Sequence, residues 1–446
     1  MIRKYLIKIF LLILIGGLTF LFIFWFNKEY QNRDTNIVNV KNFSDIQAAV
    51  DWLKNRGGGI IYFPAGIYRI QKPIIVYNDI TLKGEDGAII ENLNIENAAA
   101  ITLQGNKIKE TKIIKVEEKE INKQKIYIEN PEDFEKTSGE YIIITNPETQ
   151  HLEFNYIISQ EGKMLTTRYR LKNPLSSYEG NKIELVKLIQ NVTIENLTIK
   201  GNPKAGLAIY LSYSENINIR ENNITHNLCG IIAQYTFNSL IEQNLIKENG
   251  FGLPKPCGGG TYLTQSNNNT ITKNRYLSSG YTVIALEFSD SNFISENVSL
   301  GAGANLSGDG IAFSNSNSNI VKNNVLRRGS CYGMWIKKSS YNIFAENIVE
   351  GGVTTGINID QESSFNLISK NIVKENLSHG ILLNDKAKNN LVVDNLVSRN
   401  GLYGIFLYDL SCDNQVKNNI LENNGLQEIF VEPTCKNHLQ ANQILE

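Results

Sequence analysis

One pattern constrains this chain more than any other. From Asn191 onward, an asparagine beside a short alternating strand recurs at positions 196, 223, 244, 274, 297, 324, 347, 371, 395, 419 and 442. The spacings are 27, 21, 30, 23, 27, 23, 24, 24, 24 and 23 residues. Such a period, with alternating strands and no helical pattern between them, is the signature of a stacked β-solenoid. Leucine-rich repeats share the period but need a leucine framework, which this sequence lacks. Stacked side-chain amides hydrogen-bond from coil to coil and accept turn conformations that other residues resist, so these asparagines are expected to be structural.

A second element of each coil aligns on its glycine or equivalent: GLAIY at 206, GIIAQ at 230, GTYLT at 260, VIALE at 283, GIAFS at 310, GMWIK at 333, GINID at 356, GILLN at 380 and GIFLY at 404. Period-two alternation sends the first and third residues after the glycine into the core and the second and fourth outward. One outward stripe then reads Ala208, Ile232, Tyr262, Ala285, Ala312, Trp335, Asn358, Leu382 and Phe406. The other reads Tyr210, Gln234, Thr264, Glu287, Ser314, Lys337, Asp360, Asn384 and Tyr408. Neighbouring coils lie about 4.8 Å apart, so a few of them span an oligosaccharide. Outward Tyr262, Trp335, Phe406 and Tyr408 are costly unless covered, whether by a sugar, by the chain's own insertion or by a second copy.

The remaining segments fall around this repeat. Ile9 to Phe26 is uncharged and mostly apolar, with Arg3, Lys4 and Lys8 before it. It is just long enough to span a bilayer and is oriented by those charges to place the bulk outside the cytoplasm. Its exit, FIFWFN, lacks a small-residue cleavage signal, so residues 1–28 read as an uncleaved anchor; cleavage would make the protein secreted. After a linker at 29–42, FSDIQAAVDWLKNR predicts a capping helix that starts at a Ser44 N-cap and buries Ile46, Ala49, Val50 and Leu53. The helix and first coils fill 43–105, a β-rich insertion occupies 106–188, and the repeats run from 189 to 446. No capping helix follows the last coil, so that edge is expected to be protected by a partner, self-association included, or by its charges. With a net charge of −1 and both signs interspersed, nucleic acid is excluded as a partner. Cys412 and Cys435 each precede a repeat asparagine by seven residues, so they are expected to face each other on adjacent coils and form a disulfide. Cys229 and Cys257 are a second, looser pairing, and Cys331 is left over.

The segment NVKNFSDIQAAVDWLKNRGGGIIYFPAGIYRI resembles the N-terminal cap of the pectate-lyase-like β-helix superfamily, and NVTIENLTIKG with the coils that follow extends the likeness to about residues 37–446 apart from the insertion. The resemblance implies an all-β, right-handed parallel β-helix of about 10 to 12 coils. It also implies an exported protein whose partner is a polysaccharide. Locally the chain is similar to mannuronan C5-epimerases, whose active coil reads Tyr-Gly-Phe-Asp-Pro-His, with an aspartate and a His-Gly on the next coils. Here the coil is Tyr332-Gly333-Met334-Trp335-Ile336-Lys337, followed by Asp360 and by His379-Gly380. Trp335 and Lys337 stand where that family has its Asp and His.

C5-epimerisation and β-elimination of a uronate both require a neutralised carboxylate and a base for the C5 proton. The residues that could serve are Tyr332, Lys337, Asp360 and His379, with Tyr262, Glu287, Asp309, Trp335, Asn358 and Tyr408 holding substrate. Asp360 beside Lys337 favours an ammonium that binds the carboxylate, or else a simple cross-strand ion pair. A glycoside hydrolase needs two carboxylates about 5 to 9.5 Å apart, whereas Glu287 and Asp360 lie three coils apart, roughly 14 Å. A non-catalytic glycan-binding or envelope-assembly protein is the reading from a different class. No metal site is expected, because the four histidines and three methionines do not cluster. Calcium, used by some lyases, is the one cofactor left open, although no converging acidic residues are found on this face.

Overall fold

The computed structural model describes residues 36–445 apart from 95–97, 121–122, 135–139, 147, 169–170, 172–177, 203–205, 252–258 and 304–307. The glycine-led segments pair only with their equivalents one coil away, and always in parallel. Thr261–Thr264 pairs with Ile284–Glu287, which pairs with Ile311–Ser314, and the series continues through Met334–Lys337, Ile357–Asp360 and Ile381–Leu383 to Tyr403–Leu407. This row forms the first face. A second row includes Thr270–Thr272 and Phe293–Ser295, and a third includes Arg275–Ser279 and Val298–Ala302. Together they make a 25-stranded sheet wrapping two faces and a 13-stranded third face, so the solenoid has a few more coils than the repeat suggested.

Alternation fills the interior as the sequence demands. Ile284, Ile311, Met334, Ile357, Ile381 and Ile405 stack in one column, each at most 1% exposed. Fully burying such a side chain contributes about 1.5–3 kcal/mol, so every coil is tied to its neighbours mainly by this column and its parallels.

The asparagines form ladders at the turns. Asn222, Asn244, Asn274, Asn297, Asn324, Asn347, Asn371, Asn395, Asn419 and Asn442 are linked in succession, each side-chain oxygen accepting from the backbone N–H and amide of the asparagine one coil earlier. Two of the expected members are misplaced by one residue. The ladder runs through Asn222 and not Asn223, and Leu197, not Asn196, occupies the position before it, its N–H bonded to the Asn222 side chain at 3.1 Å. The residue preceding each ladder asparagine is left-handed, as in Lys273 (φ 56°), Glu346 (φ 56°) and Lys370 (φ 55°). Asn196 (φ 51°) takes that strained place instead. A parallel ladder joins Asn269, Asn292, Asn319, Asn342, Asn366, Asn390 and Asn414.

The capping helix α1 spans Ile46–Lys54 and buries Ile46, Ala49, Val50 and Leu53. Its N-cap is Asp45, whose side chain accepts from the Ala48 N–H at 2.8 Å, and not Ser44. At the other end, Leu439, Ile444 and Leu445 are exposed. Between the early coils, Asn106–Glu120, Lys123–Ile128, Tyr141–Thr145, Leu152–Glu161, Met164–Thr167 and Lys182–Lys187 close into a six-stranded antiparallel barrel. It has its own core around Ile126, Phe134, Ile142, Ile157 and Leu165. The barrel docks beside the first face: Phe154 stacks on Phe237 at 4.3 Å, and Tyr213 stacks on Tyr235 at 4.6 Å within the same apolar contact.

Cys412 and Cys435 are joined by a disulfide and Cys331 is free. Cys229 is also disulfide-bonded; Cys257, its expected partner, lies outside the described residues. No helix among the described residues is long and apolar enough to cross a membrane, and the expected anchor at Ile9 to Phe26 lies outside them.

Candidate carbohydrate site on the first face

Strand register places most of the outward stripes as the alternation requires. Ala285, Ala312, Trp335, Asn358, Leu382 and Phe406 follow one another coil by coil, and so do Glu287, Ser314, Lys337 and Asp360. The first coil is the exception. Tyr210 pairs with Ile232 and therefore begins the first stripe, with Ser212 beside Gln234, while Ala208 is fully buried. The glycine at 206 is two residues out of register with Gly230 because the strand beginning at Leu207 is longer than its successors, running to Arg220.

Two aromatic–carboxylate clamps define the face. The Tyr262 hydroxyl donates to Glu287 on the next coil, and the Trp335 indole N–H donates to Asp360 on the next coil at 3.0 Å. Tyr262 and Trp335 are three coils apart, roughly 14 Å by strand spacing. Only Ala285 and Ala312 lie between them on the stripe, so a trough is left between two aromatic walls. Lys337 holds its ammonium 5.5 Å from the centre of the Trp335 ring. The expected Lys337–Asp360 ion pair does not form, because Asp360 is turned to the indole; among the described residues no carboxylate oxygen comes within 4.0 Å of the ammonium. Tyr262, Trp335 and Phe406 are each partly covered, since these hydrogen bonds and ring contacts draw them along the sheet, and Tyr408 is the exposed one at 48%.

Tyr332 and His379 share one corner of the solenoid, two coils apart, with Thr355 between them. The Tyr332 ring lies 5.8 Å from Trp335. Burial, then the negative charge of Asp360 and Asp309, pushes its phenol up, so it keeps its proton and can act as an acid. Burial lowers the proton affinity of His379, leaving a neutral ring. Its Nδ1 accepts the Tyr403 N–H at 3.4 Å, which puts the proton on Nε2. His379 belongs to a cluster with Tyr403 and Phe406, extended by Phe430 and Tyr408. Tyr403 and Phe430 escaped the sequence reading. Continuing the glycine alignment one coil further, to the strand Gln427–Val431, would have found Phe430.

Two residues expected to touch substrate are placed otherwise. Asp309 is only 7% exposed, with one oxygen accepting the Tyr332 N–H at 3.1 Å and the other near the Thr282 hydroxyl at 3.4 Å, so it braces the turn beneath Tyr332. Burial raises its carboxyl from the ordinary value, against these hydrogen bonds and one from Cys331. Asn358 is 1% exposed, closed off between Trp335 and Leu382.

Residues 258–444 match a family described as periplasmic copper-binding protein (NosD), and residues 41–254 match one described as rhamnogalacturonase A/epimerase, pectate lyase-like. No curated protein matches the chain. Among solved structures, the A-module of a mannuronan C-5 epimerase from Azotobacter vinelandii aligns with a TM-score of 0.64 at 14% identity, covering 92% of this chain and 99% of that one. The Streptococcus pneumoniae surface adhesin PfbA aligns at 0.54 and 13% identity, covering 92% and 91%. The tailspike of Acinetobacter baumannii bacteriophage AP22, in complex with capsular saccharide, aligns at 0.52 and 13% identity, covering 93% and 68%. Among the described residues no three His, Cys, Asp or Glu side chains converge as a metal ion would require of such ligands. By fold, the chain is a right-handed parallel β-helix protein, and its N-terminal half is similar to the pectate-lyase-like family model.

Proposed function

We propose that this is an exported carbohydrate-active protein whose first face binds a uronate-containing polysaccharide and acts on it by C5-epimerisation or β-elimination. The observation that carries the reading is the alanine-floored trough between the Tyr262–Glu287 and Trp335–Asp360 clamps, with the unpaired Lys337 ammonium at its side. Aromatic walls suit sugar rings, and a lone cation beside them suits a sugar carboxylate. Support comes from a fold shared with a mannuronan epimerase and with a tailspike in complex with a capsular saccharide. The disulfide and the match to a family described as periplasmic support a location outside the cytoplasm, tethered by Ile9 to Phe26 or released if that segment is cleaved.

In this reading Lys337, at the end of its strand, holds the carboxylate and thereby acidifies the C5 proton, while Tyr332 and His379 lie at the corner that precedes the strands. Tyr332 is suited to protonate a departing O4, and His379 Nε2–H to donate to a sugar oxygen. In elimination the C5 proton passes to solvent water in the open trough as C5–H and C4–O break, the C4=C5 bond forms and Tyr332 protonates the departing O4; in epimerisation water takes the C5 proton and Tyr332 returns one to the other face of C5, regaining its own from solvent.

A second reading, a glycan-binding protein without chemistry, is favoured by one observation: Glu287, Asp360 and Asp309 are all engaged by hydrogen bonds, which leaves no ready carboxylate base. The protein incubated with alginate and with polygalacturonate separates these. Ultraviolet absorbance of unsaturated ends reports elimination, and proton NMR reports inverted residues. Binding without either change selects the second reading, and absence of binding to both polymers overturns the proposal.

A further inference from the structure

A second cleft, of about 530 Å³, lies away from the trough where the barrel meets the solenoid corner. His151 reaches from the barrel, with Nδ1 3.1 Å from Asp290 Oδ2 and Nε2 3.2 Å from the Asn317 amide. The other Asp290 oxygen accepts the Asn317 N–H at 2.6 Å, so three groups from two substructures are locked together at the cleft wall. Deeper in the barrel wall, Tyr178 donates to Glu153.

The rim carries the unusual feature. Tyr341, 62% exposed, stacks on Phe365, 51% exposed, with ring centres 5.1 Å apart and planes 6° from parallel. Both are left-handed (φ 61° and 58°), at a corner that the adjoining coils fill with Ser291, Ser318, Asn389 and Asp413. Bulky side chains are disfavoured there where Asn and Asp are tolerated, and exposed stacked rings add a hydration penalty. Their mutual stacking offsets only part of these costs, and both fall on two adjacent coils at the lip of a polar cleft.

We infer that this cleft is a second saccharide site, with a sugar ring resting on the Tyr341–Phe365 pair and its hydroxyls bonded by the polar wall. The volume falls within the range of small-ligand pockets. The described lining residues include the carboxylates Glu153 and Asp290 and no lysine or arginine, so the ligand is a neutral glycan and not a polyuronate. The site is independent of the trough, which calls for the opposite charge.

The test titrates the full-length protein calorimetrically with neutral cello-, malto- and N-acetylchito-oligosaccharides, and separately with alginate oligosaccharides. At least one neutral series is expected to bind. The paired substitution Tyr341→Asn and Phe365→Asn should weaken it roughly tenfold or more, given the typical worth of aromatic stacking. Asparagine is a residue type already used at this corner, so the fold is retained and thermal melting checks that it is. Trp335→Ala should leave the neutral titration unchanged. The inference is overturned if none of the neutral series binds, if binding survives the paired substitution, or if only Trp335→Ala abolishes it. Loss of alginate binding alone bears on the trough and not on this cleft.

Discussion

Replacing Asn222 with alanine should destabilise the solenoid far more than replacing Asn223, although the two are neighbours in the chain. The Asn222 amide donates to Ile194 O at 2.8 Å, Arg220 O at 2.9 Å and Asn244 Oδ1 at 3.0 Å, and its oxygen accepts the buried Leu197 N–H at 3.1 Å. Truncation orphans that N–H, at about 1–3 kcal/mol, and forfeits the bonds that the amide's two hydrogens share among those three acceptors, roughly 1 kcal/mol per hydrogen. The sum is about 3–5 kcal/mol. The Asn223 side-chain oxygen has no partner, so its removal should stay within about 0.5 kcal/mol. Urea unfolding followed by circular dichroism measures both, comparing midpoints only where the slopes agree. Equal losses at the two positions, or a loss below about 1 kcal/mol for Asn222→Ala, would refute the ladder account.

Trp335→Ala should weaken uronate binding by about 2 kcal/mol, roughly thirtyfold, while Trp335→Phe, which keeps a ring but loses the bond to Asp360, should weaken it less; equal affinities remove the ring from the site. Lys337→Gln should abolish the salt dependence of that binding, and an unchanged salt slope would show that the ammonium does not meet the carboxylate. Burial holds the proton affinity of His379 below its ordinary value, so between the folded value and about 6.5 the unfolded chain binds more protons. Stability should therefore fall as pH drops through that window, and His379→Gln should flatten the fall; identical urea midpoint profiles for the two proteins would contradict this. Removing the Cys412–Cys435 disulfide, whose cysteines are 23 residues apart, by the paired substitution Cys412→Ser and Cys435→Ser should lower stability by about 3 kcal/mol, read from thermal melts of the two proteins without reductant.

What was legible in the sequence follows from periodicity. From Gly230 onward the glycine-led strands stay in register whatever the loop lengths between them, and alternation alone separates Met334 and Ile336 inside from Trp335 and Lys337 outside. Before that, the long strand Leu207–Arg220 breaks the glycine register, and Tyr210 moves to the other stripe. The asparagine ladder was off by one at its start because Asn222 and Asn223 look alike in a pattern and differ only in which amide reaches the next coil. Which way Asp360 turns was not readable, since Lys337 and Trp335 compete for it and only side-chain packing decides. The barrel was hidden for another reason. Antiparallel closure depends on contacts between segments as distant as Asn106–Glu120 and Lys182–Lys187, which no local repeat announces.

The unbroken asparagine ladder makes the later coils interchangeable units. Asn347, Asn371, Asn395 and Asn419 follow one another at 24 residues, each offering the same oxygen to the coil before and the same amide to the coil after. A gene that loses or duplicates one such unit rejoins identical partners. The groove can thus be shortened or lengthened in steps of about 4.8 Å without rebuilding either end. Polymer length is then a trait this scaffold can change by whole-unit copying while its clamps stay where they are.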